Sequence, residues 1–347
     1  MPLNHEEYIM RRCFDLARRG IGQVAPNPPV GAVLEFAGRI IGEGFHEKYG
    51  GPHAEVRAIA SVADQDKSFI PESTLYVSLE PCCIFGKTPP CTNLILEQRI
   101  PRVVVSCFDP SPAVNGQGVK LLRDAGVEVV TGVLESVGQE LIAARRVFAC
   151  LNRPYIILKW AETSNGKMAT DDNSPFWISN PWSSRLVHRW RMESDAILIG
   201  AGTAIADNPK LDNRFYYGKS PLRIVLDPKL ALPEDLHLFN GQGPTLRVHT
   251  KEVGAANSPS ASWSSIAADT LSEMLEALYR IPVGTILVEG GPNTLQKFIE
   301  AGFWDEARVI TSNCTFLKKG KFSPALPVSH SDEIYLGSDR IRRFFNR

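Results

Sequence analysis

Three short motifs in the first third of the chain combine ligands for a metal ion with a spare carboxylate. They are His53-Ala54-Glu55, Glu80-Pro81-Cys82 and Pro89-Pro90-Cys91, with eight residues between Cys82 and Cys91. One histidine and two cysteines suit Zn²⁺, and zinc with three protein ligands keeps a fourth position for water, whose pKa falls to about 7. Glu55 is not needed as a ligand, so it can pass a proton from that water to a leaving amine. The pattern therefore predicts hydrolytic deamination of an amino-substituted ring.

Apolar runs predict that two helices position these residues. A helix over 54–62 follows His53, and a helix over 92–98 follows Cys91. Helix N-termini stabilise thiolates, so two such helices side by side could close the site. Cys83 is a less suitable fourth ligand, because it adjoins Cys82 and would close the water position. A structural zinc site, or a histidine with buried thiols, is the alternative, but the spare Glu55 favours catalysis.

Composition and charge narrow the possible function classes. The 347 residues include 38 basic and 38 acidic side chains, without a long run of either sign. This balance argues against nucleic-acid binding and favours a small-molecule substrate. No apolar stretch reaches the roughly 18 residues of a membrane span, and the acidic start over 1–7 lacks a signal-peptide pattern. Seven cysteines, an odd number, do not suggest a disulfide framework. We therefore expect a cytoplasmic protein with neither a nucleic-acid nor a membrane partner.

Length and periodicity predict two α/β domains. Helix and strand patterns alternate through the first half, which ends in a predicted helix over 136–150. A short polar connection, 151–154, then leads into a new apolar strand over 155–160. We place the boundary here, with one domain over residues 1–150 and another over 151–347. No internal repeat relates the two halves, so the second is a different domain.

Two groups of glycines follow predicted strands in the second half. The strand over 196–200 runs into Gly200-Ala201-Gly202, and the strand over 285–288 runs into Glu289-Gly290-Gly291. Glycines at such points let backbone N–H groups approach a phosphate, although an ordinary turn would explain them equally well. Ile205 stands where a Rossmann fingerprint has its third glycine, so the usual Rossmann domain is disfavoured.

Longer motifs extend over nearly the whole chain. In the first half they are Pro26-Asn27-Pro28-Pro29-Val30-Gly31, Gly42-Glu43-Gly44-Phe45-His46, His53-Ala54-Glu55-Val56 and Glu80-Pro81-Cys82 with Gly86-Lys87-Thr88-Pro89-Pro90-Cys91. In the second half they are Trp177-Ile178-Ser179, Gly202-Thr203 with Ala206-Asp207-Asn208-Pro209, and Val288-Glu289-Gly290-Gly291. Together these motifs resemble the bifunctional riboflavin-pathway deaminase–reductase family of bacteria, the RibD family. Cytidine and tRNA adenosine deaminases usually show Pro-Cys-x-x-Cys instead of the longer cysteine spacing.

The resemblance implies a fold and two reactions. The fold is α/β, with an N-terminal cytidine-deaminase-like three-layer domain and a C-terminal dihydrofolate-reductase-like domain. The first reaction is zinc-dependent deamination of 2,5-diamino-6-(5-phosphoribosylamino)pyrimidin-4(3H)-one. The second is NADPH-dependent reduction of its ribosyl group to a ribityl chain. The family also implies a homo-oligomer, either a dimer or a tetramer.

The resemblance further implies a role for individual residues. In the deaminase, the zinc ligands are His53, Cys82 and Cys91, the proton shuttle is Glu55, and the substrate contacts are Asn27, His46 and Lys87. In the reductase, the substrate contacts are Lys159, Ser179, Arg191, Arg214 and Glu289, and Asp207 acts in catalysis. The residues expected to line NADPH are Trp177, Thr203, Gly290 and Gly291.

Three features depart from the family pattern, and one is the late stretch Lys318-Lys319-Gly320-Lys321, which lacks the glycine pair often seen near this region. Ile84 stands where a histidine is common, which puts substrate affinity in question. Asn165 stands where an aspartate is usual, which removes a negative charge near the cofactor. These departures leave open an enzyme in which only the deaminase works. Two further hypotheses also stay open: a nucleic-acid base deaminase, and a non-catalytic interaction protein stabilised by zinc.

Overall fold

The chain divides into two compact units, Met1–Asn152 and Arg153–Arg347. The computed structural model describes residues 4–172, 174, 176–253 and 263–346. Among these residues, no helix combines the length and apolarity needed to cross a bilayer. All seven cysteines lie in the described ranges, and each is a free thiol.

The first unit is a five-stranded mixed sheet with helices on both faces. Its helices are α1 (His5–Arg18), α2 (Ala54–Ala60), α3 (Cys91–Glu97), α4 (Gln117–Asp124), α5 (Glu135–Leu141) and α6 (Ala143–Leu151). Its strands are β1 (Gly31–Phe36), β2 (Arg39–Phe45), β3 (Thr74–Val77), β4 (Arg102–Val105) and β5 (Glu128–Thr131). The strand order is β2-β1-β3-β4-β5. Strand β1 is antiparallel to β2 and β3, whereas β3, β4 and β5 are parallel.

Alternation along the strands creates the three layers of this unit. Val33 of β1 packs in a cluster with α1, while its neighbours Ala32 and Leu34 pack in a second cluster with α2, α3 and α4. Successive strand residues point to opposite faces, so each face of the sheet carries its own core. A capping box between Asn4 and Glu7 provides hydrogen-bond acceptors for two backbone N–H groups at the start of α1.

Glycines in β2 bring α2 unusually close to the sheet. A Cβ atom on Gly44 would lie 2.4 Å from the Ala58 backbone nitrogen, and one on Gly42 would lie 2.3 Å from the Ala58 carbonyl oxygen. Only glycine leaves room for a backbone approach of this kind. The close packing determines where the first turn of α2, which carries Glu55, sits against the sheet.

The second unit is built on a nine-stranded sheet. Its helices are α7 (Pro181–Glu193), α8 (Ala201–Asp207), α9 (Leu271–Arg280) and α10 (Pro292–Glu300). Its strands are β6 (Tyr155–Glu162), β7 (Lys167–Ala169), β8 (Ala196–Gly200), β9 (Leu222–Leu226), β10 (Thr245–His249), β11 (Ser264–Ala267), β12 (Thr285–Val288), β13 (Glu306–Ser312), β14 (Lys321–Phe322), β15 (Asp332–Leu336) and β16 (Asp339–Phe345). The order in the large sheet is β11-β10-β9-β8-β12-β6-β13-β16-β15, and β7 pairs with β14 separately.

The centre of the large sheet is parallel. Strands β8 and β12 are parallel neighbours, so the turns that follow them meet at one edge of the sheet. Strand β16 is antiparallel to both β13 and β15 and completes the far side. In open parallel sheets, ligands bind outside the carboxyl ends of the strands. The two glycine turns therefore stand where a ligand is expected.

Two helix predictions differ from the structure. The predicted helix over 136–150 is wrong as a single element, because it breaks at Ile142, whose side chain is buried with Leu79 and Cys107. Helix α7 was not predicted, although its start carries a recognisable signal. Asn180 accepts a hydrogen bond from the Ser183 backbone N–H, and Pro181 occupies the first helical turn.

Candidate active sites

The first unit gathers one histidine and two cysteines into a cluster suited to a metal ion. Nδ1 of His53 lies 3.4 Å from Sγ of Cys82 and 3.3 Å from Sγ of Cys91. The three ligand atoms all lie within 4.8 Å of one another. His53 immediately precedes α2, and Cys91 is the first residue of α3. One nitrogen and two sulfur donors at this separation fit Zn²⁺, which binds such ligands tetrahedrally.

Neighbouring groups prepare the ligand atoms for a metal ion. Oγ1 of Thr88 lies 3.5 Å from Nε2 of His53, so the opposite ring nitrogen, Nδ1, faces the sulfurs. The backbone N–H of Cys91 donates to Sγ of Cys82 over 3.3 Å. Hydrogen bonds from the Cys91 side chain and from His53 lower the pKa of Cys82 to about 4. Metals bind the thiolate form, which these contacts favour at Cys82, whereas the hydrogen bond to Cys82 and burial raise the pKa of Cys91.

Glu55 lies in the first turn of α2, beside this cluster. Its side chain is buried, and its residue is 3% exposed. Burial raises the pKa of Glu55 to about 7. A carboxyl group with a pKa near the working pH can both accept and donate a proton.

A cavity of about 240 Å³ opens onto the cluster, and the predicted substrate contacts line it. His46 is buried, and burial lowers its pKa, so the ring is neutral. Its Nδ1 lies 3.0 Å from the Pro52 carbonyl oxygen, and its Nε2 lies 3.1 Å from the Asn27 side-chain nitrogen. Nδ1–H therefore donates to Pro52, and Nε2 accepts from Asn27. The pair forms a fixed polar wall.

Lys87 and Ile84 belong to the rim of the same cavity. Nζ of Lys87 lies 4.0 Å from the centre of the Tyr49 ring. This cation–π contact holds the exposed ammonium group in place without neutralising it. Ile84 is 46% exposed and offers the cavity an apolar surface where the family commonly has histidine.

Three further charged residues line this cavity without having been predicted as site residues: Glu80, Asp109 and Arg145. The buried Glu80 carboxylate accepts hydrogen bonds from the backbone N–H groups of Gly116 and Val119 over 2.9 and 3.1 Å. These groups belong to the start of α4, where a carboxylate is favoured. Glu80 therefore supports the loop before α4. Arg145 comes from α6 and belongs to no local motif.

In the second unit, the turns after β8 and β12 contact each other. The Gly291 N–H donates to Oγ1 of Thr203 over 3.0 Å. A Cβ atom on Gly290 would lie 2.6 Å from Cβ of Thr294, whereas one on Gly202 would meet nothing within 4 Å. Gly290 thus permits close packing against Thr294, whereas the backbone at Gly202 is open to the space beyond the edge of the sheet. This is a cradle that fits the phosphates of a dinucleotide.

A cavity of about 1480 Å³ extends from this cradle. It is large enough for a dinucleotide together with a second ligand. All ten residues that we predicted for the reductase line it: Lys159, Trp177, Ser179, Arg191, Thr203, Asp207, Arg214, Glu289, Gly290 and Gly291. They come from separate parts of the chain, and the parallel sheet brings them together.

Glu289 lies at the centre of a buried ion-pair network in this cavity. Arg191 donates to both carboxylate oxygens of Glu289, over 2.8 and 3.0 Å, and Lys159 lies 3.5 Å away. Burial alone would raise the pKa of Glu289, but the two cations outweigh burial and lower it to about 2. Arg191 also donates to the Asp212 carbonyl oxygen over 3.1 Å. The predicted arginine and lysine are therefore oriented by the predicted glutamate.

The remaining predicted residues surround this network. Asp207 ends α8 one turn after Thr203, and partial burial of its carboxyl group raises its pKa. Arg214 pairs with Asp212, and its guanidinium lies 4.9 Å from the Phe215 ring centre. Trp177 is 68% exposed, which leaves its indole face available to a planar ligand.

His188 was not predicted as part of this site. It lies on α7, three residues before Arg191, and also lines the large cavity. It is 3% exposed, its Nδ1 has no hydrogen-bond partner among the described residues, and burial lowers its pKa to about 4. The spacing to Arg191 was the available signal, but it required α7 to be recognised.

Asn165 uses its amide in a way that aspartate cannot. Its Nδ2 donates to the Leu317 carbonyl oxygen over 2.8 Å, and its Oδ1 accepts from the Thr163 hydroxyl over 2.8 Å. It ties the turn after β6 to the segment before β14. Asn165 is not among the residues that line the large cavity. Its departure from the family pattern thus has a structural explanation.

We expect Asn165→Asp to destabilise the second unit by about 1–3 kcal/mol, because a carboxylate would face a carbonyl oxygen with no donor between them. All six tryptophans lie in this unit, so tryptophan fluorescence during urea unfolding reports its stability selectively. Asn240→Asp is the matched control, because within the described part of the chain the Asn240 side chain only accepts a hydrogen bond, from the Gln242 N–H. Equal midpoints for the two variants would contradict the role of Asn165.

Comparison with known proteins supports both halves. Residues 3–107 match the cytidine and deoxycytidylate deaminase zinc-binding region, and residues 154–315 match the RibD C-terminal domain. The riboflavin biosynthesis protein RibD of Aquifex aeolicus is 41% identical over 310 residues, which cover 88% of this chain and 86% of the relative. That of Bacillus amyloliquefaciens is 38% identical over 310 residues, covering 87% and 82%.

A solved structure is similar over the full length. It is a diaminohydroxyphosphoribosylaminopyrimidine deaminase/5-amino-6-(5-phosphoribosylamino)uracil reductase from Thermotoga maritima, with 34% identity and a TM-score of 0.89 over 97% of each chain. The fold and the clusters thus define a zinc-dependent deaminase joined to an NADPH-dependent reductase, which confirms the predicted fold class and cofactors. The chain belongs to the RibD family. It is a bifunctional enzyme of riboflavin biosynthesis that acts on small-molecule substrates.

Proposed function

We propose that residues 1–150 carry the deamination and residues 151–347 the reduction. The first substrate is 2,5-diamino-6-(5-phosphoribosylamino)pyrimidin-4(3H)-one, and the product of deamination is the substrate of the reductase. The observation that carries the proposal is the buried Glu55 beside a cluster of one nitrogen and two sulfur ligands at the end of a cavity. A carboxyl group held next to such a cluster, without being part of it, is the arrangement that zinc deaminases require.

In the deaminase, His53, Cys82 and Cys91 hold zinc. Zinc bound there would lower the pKa of a water, which is the nucleophile that hydrolytic deamination needs at the ring carbon bearing the amine. Glu55 accepts the proton of that water and then donates it to the departing nitrogen, which leaves as ammonia. One carboxyl group serves both steps because its pKa of about 7 suits both directions of transfer.

The wall formed by His46 and Asn27 orients the pyrimidine. His46 keeps one tautomer, because its two nitrogens bond to Pro52 and Asn27. A neutral, fixed ring selects a substrate by hydrogen bonding and does not compete with Glu55 for the proton. Lys87, at the rim, contributes a positive charge toward the substrate phosphate.

In the reductase, the cradle formed by Thr203, Gly290 and Gly291 holds the cofactor, with Trp177 beside it. NADPH, when bound, supplies a hydride to the first carbon of the sugar. Asp207 donates a proton to the ring oxygen that leaves this carbon, so that the ribosyl ring opens to a ribityl chain. Partial burial raises the pKa of the Asp207 carboxyl, which is the direction of change that suits a proton donor.

The substrate of the reductase is held by the residues around the buried ion pair. These are Lys159, Ser179, Arg191, Arg214 and Glu289. Arginine is suited to phosphate because its planar fork can donate two parallel hydrogen bonds. The network between Glu289, Arg191 and Lys159 fixes the two cations before the substrate arrives, which reduces the entropy lost on binding.

One assay tests both halves together. Purified protein is mixed with the diaminopyrimidinone ribosylamine phosphate and NADPH, and ammonia release and NADPH absorbance are recorded in parallel. We expect ammonia first and NADPH consumption afterwards. Ammonia without NADPH consumption would leave the deaminase alone active, and neither signal in zinc-replete protein would reject the substrate.

Removal of zinc should separate the two activities. The metal cluster lies wholly in the first unit and the large cavity wholly in the second. We therefore expect a chelator to abolish ammonia release, while NADPH oxidation with the deaminated substrate stays within about two-fold of the untreated enzyme. Added Zn²⁺ should restore deamination. Loss of both activities on chelation would contradict this division.

The proposal also includes a cellular location and an oligomeric state. The family's role in metabolism and the seven free thiols support a place in the cytoplasm. A homo-oligomer, as a dimer or tetramer, is supported by the edge strand β15, where Ile334 and Tyr335 are 57% and 64% exposed. Sedimentation velocity tests the second point, and a monomer at micromolar concentration would reject it.

A further inference from the structure

The deaminase cavity contains two cations that are not paired with a carboxylate. Its lining includes the acids Glu80 and Asp109, and both are engaged by backbone N–H groups. Glu80 accepts from the loop before α4, and Asp109 accepts from the Ser111 N–H over 2.7 Å. Among the described residues, the Lys87 ammonium group lies over the Tyr49 ring and is not paired with a carboxylate. Arg145 has no acidic side chain within 4 Å among the described residues of this unit.

Arg145 is held in place but is incompletely hydrogen-bonded. Its Nη2 donates to Oγ of Ser111 over 2.8 Å, while its Nε is buried and has no hydrogen-bond partner among the described residues. A guanidinium offers five N–H donors, and a buried donor without a partner is costly. Arg145 as a whole is half-buried, so its charged head still reaches the cavity, where an anion would be a favourable partner. The position of Arg145 on a cavity wall allows a ligand to provide that anion.

The chemistry of the substrate provides one group that matches. The pyrimidine is neutral, and Glu55, His46 and Asn27 are the residues proposed to contact it. The phosphate of its ribosyl group carries close to two negative charges near neutral pH. A dianion is best accommodated by two cations, one of them with a planar donor fork. Lys87 and Arg145 are the two cations in the wall of this cavity.

We propose that Arg145 binds the phosphate of the substrate in the deaminase cavity, with Lys87 as the second cation. The inference rests on the proposed function, because it takes the phosphoribosylated pyrimidine as the ligand. Arg145 then determines specificity, since it favours the phosphorylated substrate over the corresponding riboside. Ser111 orients the guanidinium through Nη2, and the terminal N–H groups that Ser111 does not use are those offered to the phosphate oxygens.

The test compares two substrates in three variants. Arg145→Met removes the charge, Ser111→Ala removes the hydroxyl that orients it, and Arg146→Met removes the exposed neighbouring arginine as a matched control. Deamination of the phosphorylated pyrimidine and of its enzymatically dephosphorylated riboside is followed by ammonia release. NADPH oxidation with the deaminated substrate and the zinc content report whether the protein is intact.

We expect Arg145→Met to lower kcat/KM for the phosphorylated substrate roughly 10- to 100-fold, the scale of a lost charge-assisted hydrogen bond. Its kcat/KM for the riboside should stay within about two-fold, as should both values for Arg146→Met. If Arg145→Met does not fold, Arg145→Lys, which keeps the charge but lacks the fork, should show a smaller loss confined to the phosphorylated substrate.

Two results would overturn the inference. Equal losses for both substrates would make Arg145 a structural support of the loop around Ser111. A loss of the same size in Ser111→Ala with both substrates would lead to the same conclusion. Wild-type enzyme that releases ammonia from neither substrate would instead reject the proposed function itself, so the two failures are distinguishable.

Discussion

Glu55→Gln is expected to lower the rate of deamination by roughly 10²-fold or more while the protein keeps its zinc. Glutamine has nearly the same shape as glutamate but cannot accept and return a proton. Glu55 is buried beside the metal cluster without supplying one of its three ligand atoms. The substitution therefore removes the proton path and leaves the ligands in position. The loss should lie in kcat, because the groups that orient the substrate are unchanged.

Ammonia release, zinc content and NADPH oxidation with the deaminated substrate measure this prediction. Zinc content and the reductase should be unaffected. Glu47→Gln is a matched control, because Glu47 is a surface carboxylate in the same unit, paired with Arg57. It should retain activity within about two-fold. Turnover near the wild-type rate in Glu55→Gln would remove Glu55 from the mechanism, and loss of zinc would assign it a structural role.

Glu289→Gln is expected to destabilise the second unit by about 3–5 kcal/mol, because it leaves Arg191 and Lys159 without their counter-charge. The side chains of Glu289 and Arg191 are only 9% and 13% exposed, so water screens this loss weakly. The reductase should weaken as well, since the two cations lose the group that orients them. Deamination, which takes place in the other unit, should not change.

The same variant carries a pH signature. The pKa of Glu289 is lowered to about 2 in the folded protein, whereas an unfolded glutamate titrates near pH 4.3. A lowered folded pKa means that the stabilisation is present above the unfolded pKa and is lost as pH falls through the folded value. The stability difference between wild type and Glu289→Gln should therefore shrink by about 3 kcal/mol between roughly pH 5 and pH 2.

Urea unfolding followed by tryptophan fluorescence measures both effects in the second unit. Glu276→Gln is the control, because Glu276 pairs with Arg280 at an exposed site. It should change the stability by less than about 1 kcal/mol, and with little pH dependence. Coincident curves for Glu289→Gln and wild type would show that the network contributes no net stabilisation, and a constant offset would contradict the predicted pH dependence.

The residues that could be predicted are those whose chemistry is readable in short motifs. His53, Cys82 and Cys91 lie in three local segments whose residue types suit one metal, and the structure brings them together. Gly290 and Gly291 follow a predicted strand, a pattern that an ordinary turn would explain equally well, and the family resemblance assigned them to the cofactor. In each case the signal is local, and the parallel sheet then completes the site by aligning the ends of its strands.

The features that could not be predicted depend on contacts between distant segments. Arg191 was expected to face a ligand. Its hydrogen bond to Glu289 could not be predicted from a local pattern, because Glu289 lies 98 residues further along the chain. Arg145 follows the cysteine motifs by more than fifty residues, and only the packing of α6 brings it to the cavity. His188 was missed with α7, despite the start signal at Asn180. Local periodicity also gave no sign of the break at Ile142.

The close contact between β2 and α2 has a consequence for how the enzyme can vary. Gly44 touches neither the metal cluster nor the cavity, yet a single methyl group at this position would meet the backbone of α2. Because His53 precedes α2 and Glu55 lies in its first turn, a shift of α2 would displace the proposed metal ligand and the proposed proton shuttle together. A side chain at Gly44 would therefore act on the site from a distance, and accommodating it would need a compensating change in the helix itself.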